Sequence, residues 1–183
     1  MKKVVVKYKL KNHDDFETKM NEVDVDFGSM YWQHDRIYVP KNYKPGANFP
    51  RLVMRTEMKA IDRPARYELI LKRHIVDSGA DIVDATVVRD YVEAVNIIQQ
   101  LGFKQLAEVS KKRRSSSIGE TMIYLDSVDG VPGYYIKMEA PIKENDKIDS
   151  LRTDLVETLE SIDDQNTRVE EPYFVTLNDN FDK

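Results

Sequence analysis

The sequence contains an alternation of period two, in which the residues of one parity are apolar and those of the other carry positive charge. From Lys3 to Leu10 the even positions are apolar, whereas the odd positions include Lys3 and Lys7. Successive side chains of a strand point to opposite faces. The chain therefore opens with a predicted strand whose even face packs on a core and whose odd face is cationic.

The same period recurs along the chain, with enrichment in β-branched and aromatic residues. It covers residues 51–57, 66–74, 106–113, 121–127 and 133–140. Turn dipeptides lie between the last two of these segments, at Asp129-Gly130 and Pro132-Gly133. Strands therefore dominate the predicted structure.

Three helices are predicted between the strands, at residues 13–23, 88–101 and 145–162. Gly102 follows the second helix, where a left-handed C-terminal cap is expected, and Asn145 is the expected N-cap of the third. Together with the strands they predict an α+β protein.

Three segments show no clear period. Residues 39–50, which contain three prolines, are predicted to be a loop, and residues 75–86 a loop or a lid. The tail after Asp163 is polar, and we expect it to be partly ordered at best apart from Tyr173 to Leu177.

Composition limits the classes of protein to consider. The 183 residues, 41% of them hydrophobic, suit one domain spanning residues 1–183. The absence of cysteine excludes disulfides, thiolate metal sites and cysteine nucleophiles, and favours a reducing, cytoplasmic compartment. No stretch suits a signal peptide or membrane span, and a net charge of −4 gives no reason to expect a membrane or nucleic-acid partner.

Cations recur at the same parity within several predicted strands. Arg51 shares a face with Arg55, Lys72 with His74, and Lys111 with Arg113. On any single strand this pattern is typical of a solvated sheet face. A closed or strongly curved antiparallel sheet would instead bring these faces together around a concave site suited to phosphates.

Two acidic residues offer a candidate metal site. Asp126 and Glu139 lie on neighbouring predicted strands, and we expect them to meet across the hairpin that turns at residues 128–133. Two oxygen ligands plus substrate phosphates are a usual way for proteins to hold Mg²⁺. A pair of surface carboxylates is the alternative that the spacing leaves open.

The order of these motifs resembles the CYTH superfamily, which includes class IV adenylate cyclases, thiamine triphosphatases and inorganic triphosphatases. Its motifs are matched by Lys7, by Leu52-Val53-Met54-Arg55, by Lys72, by Leu101-Gly102-Phe103 followed by Lys111 and Arg113, and by Asp126. Gln33, Asp35 and Tyr38 resemble a further strand of the family. The resemblance implies a closed β-barrel tunnel with about three flanking helices that grips a triphosphate.

The resemblance also implies the site residues. The phosphate-binding residues would be Lys7, Arg51, Arg55, Lys72, Lys111 and Arg113, with Arg51 in place of an arginine that is Val53 here. Asp126 and Glu139 would bind Mg²⁺ or Mn²⁺. Lys3, Val5 and Lys137 stand where the family has glutamates, so the expected metal binding is weakened.

Three functions follow as hypotheses. The first is an enzyme that cyclises ATP to cyclic AMP and pyrophosphate, or that hydrolyses a triphosphate. The second is a pseudoenzyme or sensor that binds a nucleotide, polyphosphate or another polyanion without turnover. The third is a protein-interaction domain without a small ligand. A homodimer is left open.

Overall fold

A computed structural model describes residues 1–44, 49–60, 62–75 and 80–181. These residues form nine strands and four helices. In chain order they are β1 (Lys2–Lys9), α1 (His13–Glu22), β2 (Tyr31–Pro40), β3 (Arg51–Met58), β4 (Arg66–Ile75), β5 (Ala80–Val88), α2 (Tyr91–Gln100), β6 (Phe103–Ile118), β7 (Thr121–Val128), β8 (Tyr134–Pro141), α3 (Ile148–Ile162), β9 (Thr167–Arg168) and α4 (Tyr173–Phe181).

Eight strands form a closed antiparallel barrel. Their order is β5-β4-β3-β2-β6-β7-β8-β1, and the first and last strands of this order also pair, with Lys2 opposite Ile82 and Lys3 opposite Asp81. The short strand β9 adds to β1 near Lys9. The predicted α+β class and closed antiparallel barrel are confirmed. Closure gives every strand two faces, one toward the interior and one toward the helices.

The outer face of the barrel packs against helices. The even residues of β1, such as Val4 and Val6, are buried in one core with Phe16 of α1 and with Leu155 and Leu159 of α3. A second outer cluster joins Ile98 of α2 to Tyr38 and Met54. Since the apolar parity faces the helices, the cationic parity faces the barrel interior.

The helix ends agree with the sequence in part. Asn12 caps α1 by accepting from the backbone N–H groups of Asp14 and Asp15, and Gly102 follows α2 with a φ of +86°. The predicted cap at Asn145 was wrong, because α3 begins at Ile148. The preceding residues form a turn in which the backbone N–H of Lys143 donates to Asp146.

Two segments predicted to be irregular form regular structure. Residues 80–88 are strand β5, paired with both β4 and β1, so the expected loop or lid at 75–86 was wrong there; residues 76–79 lie outside the described residues. The expected loop at 39–50 begins later, since β2 runs to Pro40, and residues 45–48 are also outside the described part. The tail contributes β9 and a fourth helix, α4.

Within the described residues, no helix is long and apolar enough to cross a membrane.

Candidate functional site

A cavity of about 530 Å³ lies inside the barrel. This volume is in the usual range for small-molecule sites. All six residues predicted to bind phosphate line it, and so does Lys137; the six are Lys7, Arg51, Arg55, Lys72, Lys111 and Arg113. They converge because each occupies the inward parity of its own strand. Their role toward phosphate stays a prediction.

Arg113 and Asp126 form the most buried ion pair of this interior. They lie opposite each other on β6 and β7, and the guanidinium donates twice to the carboxylate, at 2.6 Å each. Their side chains are 4% and 0% exposed. Burial acts to raise the pKa of Asp126, but Arg113 overcomes this and lowers it to about 2. The pair is therefore charged throughout the physiological range.

Asp35 holds two further cations. Arg55 donates to both of its oxygens, at 2.7 and 2.8 Å, and Lys111 Nζ lies 3.4 Å from Oδ2. Burial acts to raise the pKa of Asp35, yet Lys111 and Arg55 hold it well below its usual value. Asp35 thus fixes cations from two strands that flank its own. In the sequence, Asp35 resembles part of a family strand, but no role was predicted for it.

Three lining cations form no ion pair with any carboxylate of the described residues. Lys72 is partly buried, and burial followed by the nearby Arg55 and Lys137 lowers its pKa well below the usual value. Burial and Lys137 lower the pKa of Lys7 to about 8. The third cation is Arg51, whose guanidinium lies 5.3 Å from the ring centroid of Phe174.

The pKa of Lys111 is also lowered, although the Asp35 carboxylate is close. Its side chain is 5% exposed, and burial followed by the positive charge of Arg113 lowers its pKa to about 7. A buried ammonium group surrounded by other cations favours its neutral form. The cavity wall therefore contains more positive charge than its own carboxylates offset.

The C-terminal segment, residues 168–175, lines the same cavity. The Tyr173 hydroxyl donates to Asp126 at 3.0 Å, and Lys7 Nζ donates to the backbone carbonyl of Glu171. Phe174 and Leu177 pack into an apolar cluster that contains Ile37, Val53 and Ile70 from the strands. These contacts were not predicted. The sequence feature that could have indicated these contacts is the aromatic pair at 173–174 in an otherwise polar tail.

Glu139 is held between two lysines. Lys3 donates to Oε2 and Lys137 lies against Oε1. Burial acts to raise the pKa of Glu139, but Lys137 and Lys3 hold it well below the usual range. Both lysines occupy positions where the resemblance predicted glutamates.

The two predicted metal ligands do not face each other. Asp126 lies opposite Tyr135, whereas Glu139 lies opposite Met122. Four residues of strand separate these positions, or roughly 13 Å along the sheet. Among the described residues, no group of three histidine or acidic side chains lies close enough to hold a metal. The assignment as metal ligands stays a prediction, and the carboxylates as arranged do not fit a divalent cation, since cations already occupy both oxygens of each.

A family model described as the CYTH domain matches residues 1–173. Solved structures support the same fold. The PH1819 protein from Pyrococcus horikoshii OT3 is 20% identical over 97% of this chain and 99% of its own, with a TM-score of 0.81. A putative adenylate cyclase from Vibrio parahaemolyticus is 20% identical over 93% and 94%, with a TM-score of 0.76.

A more distant structure is a putative adenylyl cyclase from Hippeastrum with a dominant triphosphatase activity. It is 12% identical over 98% of this chain and 96% of its own, with a TM-score of 0.61. No curated protein matches the sequence. The family model covers nearly the whole chain, and the barrel with its inward cations agrees with it. The chain therefore belongs to the CYTH family.

Proposed function

We propose that this protein binds a triphosphate-containing small molecule, either a nucleoside triphosphate or inorganic triphosphate, inside its barrel. The observation that carries the proposal is the set of cations without a carboxylate partner in the described residues, Lys7, Arg51 and Lys72, which face one cavity. Cations that line one cavity repel each other unless an anion offsets them. A chain of phosphates is an anion of suitable charge and length.

The neighbouring ion pairs hold two arginines of the cavity wall in positions from which they can bind such a ligand. Arg55 and Arg113 each use Nε and Nη2 to bind a carboxylate. A guanidinium has five N–H donors, so each arginine keeps donors for phosphate oxygens while its carboxylate holds it in place. Asp35 and Asp126 thus orient the cations, and the ordering of these side chains is complete before the ligand arrives.

A catalytic role is the first of two candidates. ATP cyclisation and triphosphate hydrolysis depend mainly on positioning and on stabilising charge on the phosphates. The inward lysines and arginines can supply both. Two structural neighbours are described as putative cyclases, one of them with a dominant triphosphatase activity.

A binding protein without turnover is the second candidate, and one observation favours it. The buried interior carboxylates of the described residues, Asp35, Asp126 and Glu139, are each held by cations. None of them is therefore poised as a general base or as a metal ligand. A sensor or storage protein for a nucleotide or polyphosphate needs neither group.

Phosphorus NMR separates the two candidates. The protein is incubated with ATP or inorganic triphosphate, in EDTA and with Mg²⁺ or Mn²⁺. Pyrophosphate with cyclic nucleotide, or released orthophosphate, establishes an enzyme. Shifted phosphate resonances without product establish a binding protein, and unchanged spectra contradict the proposal.

Site-directed substitution locates the ligand. Lys72→Met should weaken triphosphate binding roughly tenfold to a hundredfold, the value of one charge-assisted contact. Lys104→Met is the matched control, because Lys104 is exposed outside the cavity. Equal affinity in wild type, variant and control would contradict binding at this cavity, and no binding by any of the three would favour a protein-interaction domain instead.

A further inference from the structure

Three buried carboxylates of the barrel interior are neutralised by the protein itself. In the described residues, Arg113 occupies both oxygens of Asp126, Arg55 occupies both oxygens of Asp35, and Lys3 and Lys137 share those of Glu139. A divalent cation has to displace an ammonium or guanidinium group to reach any of them. It then competes with a partner that is already at close range and buried.

Lys3 and Lys137 matter most in this arrangement. They converge on Glu139 from β1 and β8, and both side chains are 18% exposed. Lys137 also lines the cavity and lies opposite Lys7 across the β1–β8 pair. Two positive charges therefore stand beside the carboxylate, at the place where a metal ion would need ligands.

An ammonium group can do part of what a metal does for a triphosphate, because it neutralises charge and donates hydrogen bonds to phosphate oxygens. A metal-bound triphosphate is a poorer ligand for such a wall. The metal lowers the negative charge of the anion and adds a cation to an interior that already contains Lys7, Lys72 and Lys137.

We infer that the barrel takes its triphosphate as the free, metal-free anion, with Lys3 and Lys137 in place of a metal ion. This inference rests on the proposed function. It means that Mg²⁺ competes with the protein for the anion instead of bridging the two. The ligand class is accordingly an uncomplexed triphosphate or short polyphosphate.

Calorimetric titration of the full chain with inorganic triphosphate tests the inference. One series contains EDTA and the other excess Mg²⁺, at equal ionic strength. We expect binding in EDTA and an affinity roughly tenfold or more lower in Mg²⁺. Equal or tighter binding with Mg²⁺ overturns the inference and leaves the proposed function standing, whereas no binding in either series overturns both.

A glutamate substitution gives a second test. If Glu139 serves only to hold Lys3 and Lys137, Glu139→Gln releases both lysines toward the anion and should raise the affinity in EDTA severalfold. If Glu139 binds a metal, the same variant should lose affinity in Mg²⁺ and change little in EDTA, which would overturn the inference. Glu120→Gln is the matched control, since Glu120 is exposed and pairs with Lys143.

Addition of Mn²⁺ alone provides a measurement that depends on no variant. The electron paramagnetic resonance signal of free Mn²⁺ should persist undiminished in the presence of the protein. Loss of that signal at submillimolar protein shows a metal site and contradicts the inference.

Discussion

The affinity for triphosphate should fall steeply between pH 7 and pH 9. The pKa of Lys111 is lowered to about 7 by burial and by Arg113, and that of Lys7 to about 8 by burial and by Lys137. A bound anion favours the charged form of both lysines and raises both pKa values. The complex then holds more protons than the free protein, so affinity declines as pH rises through the free pKa values.

The magnitude follows from the two pKa values. When the anion raises the pKa of both lysines above 10, each lysine lowers the affinity about tenfold for every pH unit above the pKa that it has in the free protein. Between pH 7 and pH 9 this amounts to roughly fiftyfold for Lys111 and about tenfold for Lys7. ATP is the ligand for this series, because its terminal phosphate ionises with a pKa of about 6 and its charge changes little over this range, whereas inorganic triphosphate still loses a proton there.

Calorimetry in EDTA at pH 7, 8 and 9 measures the decline, and two buffers of different ionisation enthalpy at each pH count the protons taken up. Lys111→Arg should remove the roughly fiftyfold part of the decline and leave the roughly tenfold part due to Lys7, because arginine stays charged at all three pH values. Lys112→Arg is the matched control, since Lys112 is exposed. A flat wild-type profile, or binding without proton uptake at pH 8, would refute the reasoning.

Three further predictions concern stability. Arg113→Met leaves the buried Asp126 carboxylate without its partner and should lower the free energy of unfolding, measured in urea, by about 3–5 kcal/mol. The double variant Arg113→Met with Asp126→Leu should restore most of this stability. A loss below about 1 kcal/mol in the single variant contradicts the prediction. Tyr173→Phe removes the hydroxyl that donates to Asp126 and should cost about 1.5–3 kcal/mol in the same assay, with Tyr43→Phe as control. In the absence of anions the melting temperature should rise from pH 7 to pH 9, because the folded-state pKa values of Lys7 and Lys111 lie below the ordinary 10.5 and the unfolded chain binds more protons. Triphosphate should abolish that rise, and a melting temperature that falls with pH would contradict the sign.

The local sequence pattern was sufficient to predict the buried face of an element wherever one of its faces is apolar. The alternation of β1 predicted which side meets the helices, since even residues such as Val4 are buried against them. Strand β5 was missed because its burial is not alternating: Ala80 is buried, while residues 84–87 are exposed. Its place in the barrel comes from pairing with β4 and β1, and pairing partners distant in sequence leave no local period.

For the site, the sequence predicted which side chains share a strand face but not which of them meet across strands. Parity within the strands, together with the family resemblance, identified six of the cations that line the cavity, because parity within a strand survives any arrangement of the strands. Parity does not report the stagger between strands. Asp126 and Glu139 therefore share a face, as expected, but lie four residues apart along the β7–β8 pair. The contact of Tyr173 with Asp126 spans 47 residues and depends on where α4 packs.

The amino-acid sequence is sufficient to predict that this chain builds a β-sheet with one cationic and one apolar face, because both properties depend on which side of a single strand each residue occupies. Which of these cations are paired with a carboxylate depends on the tertiary structure. Closure of the barrel brings Arg55 and Lys111 to Asp35, pairs Lys3 and Lys137 with Glu139, and leaves Lys72 without a carboxylate partner among the described residues. Electrostatic neutralisation depends on distances of a few ångströms between strands. Those distances arise only when the sheet closes.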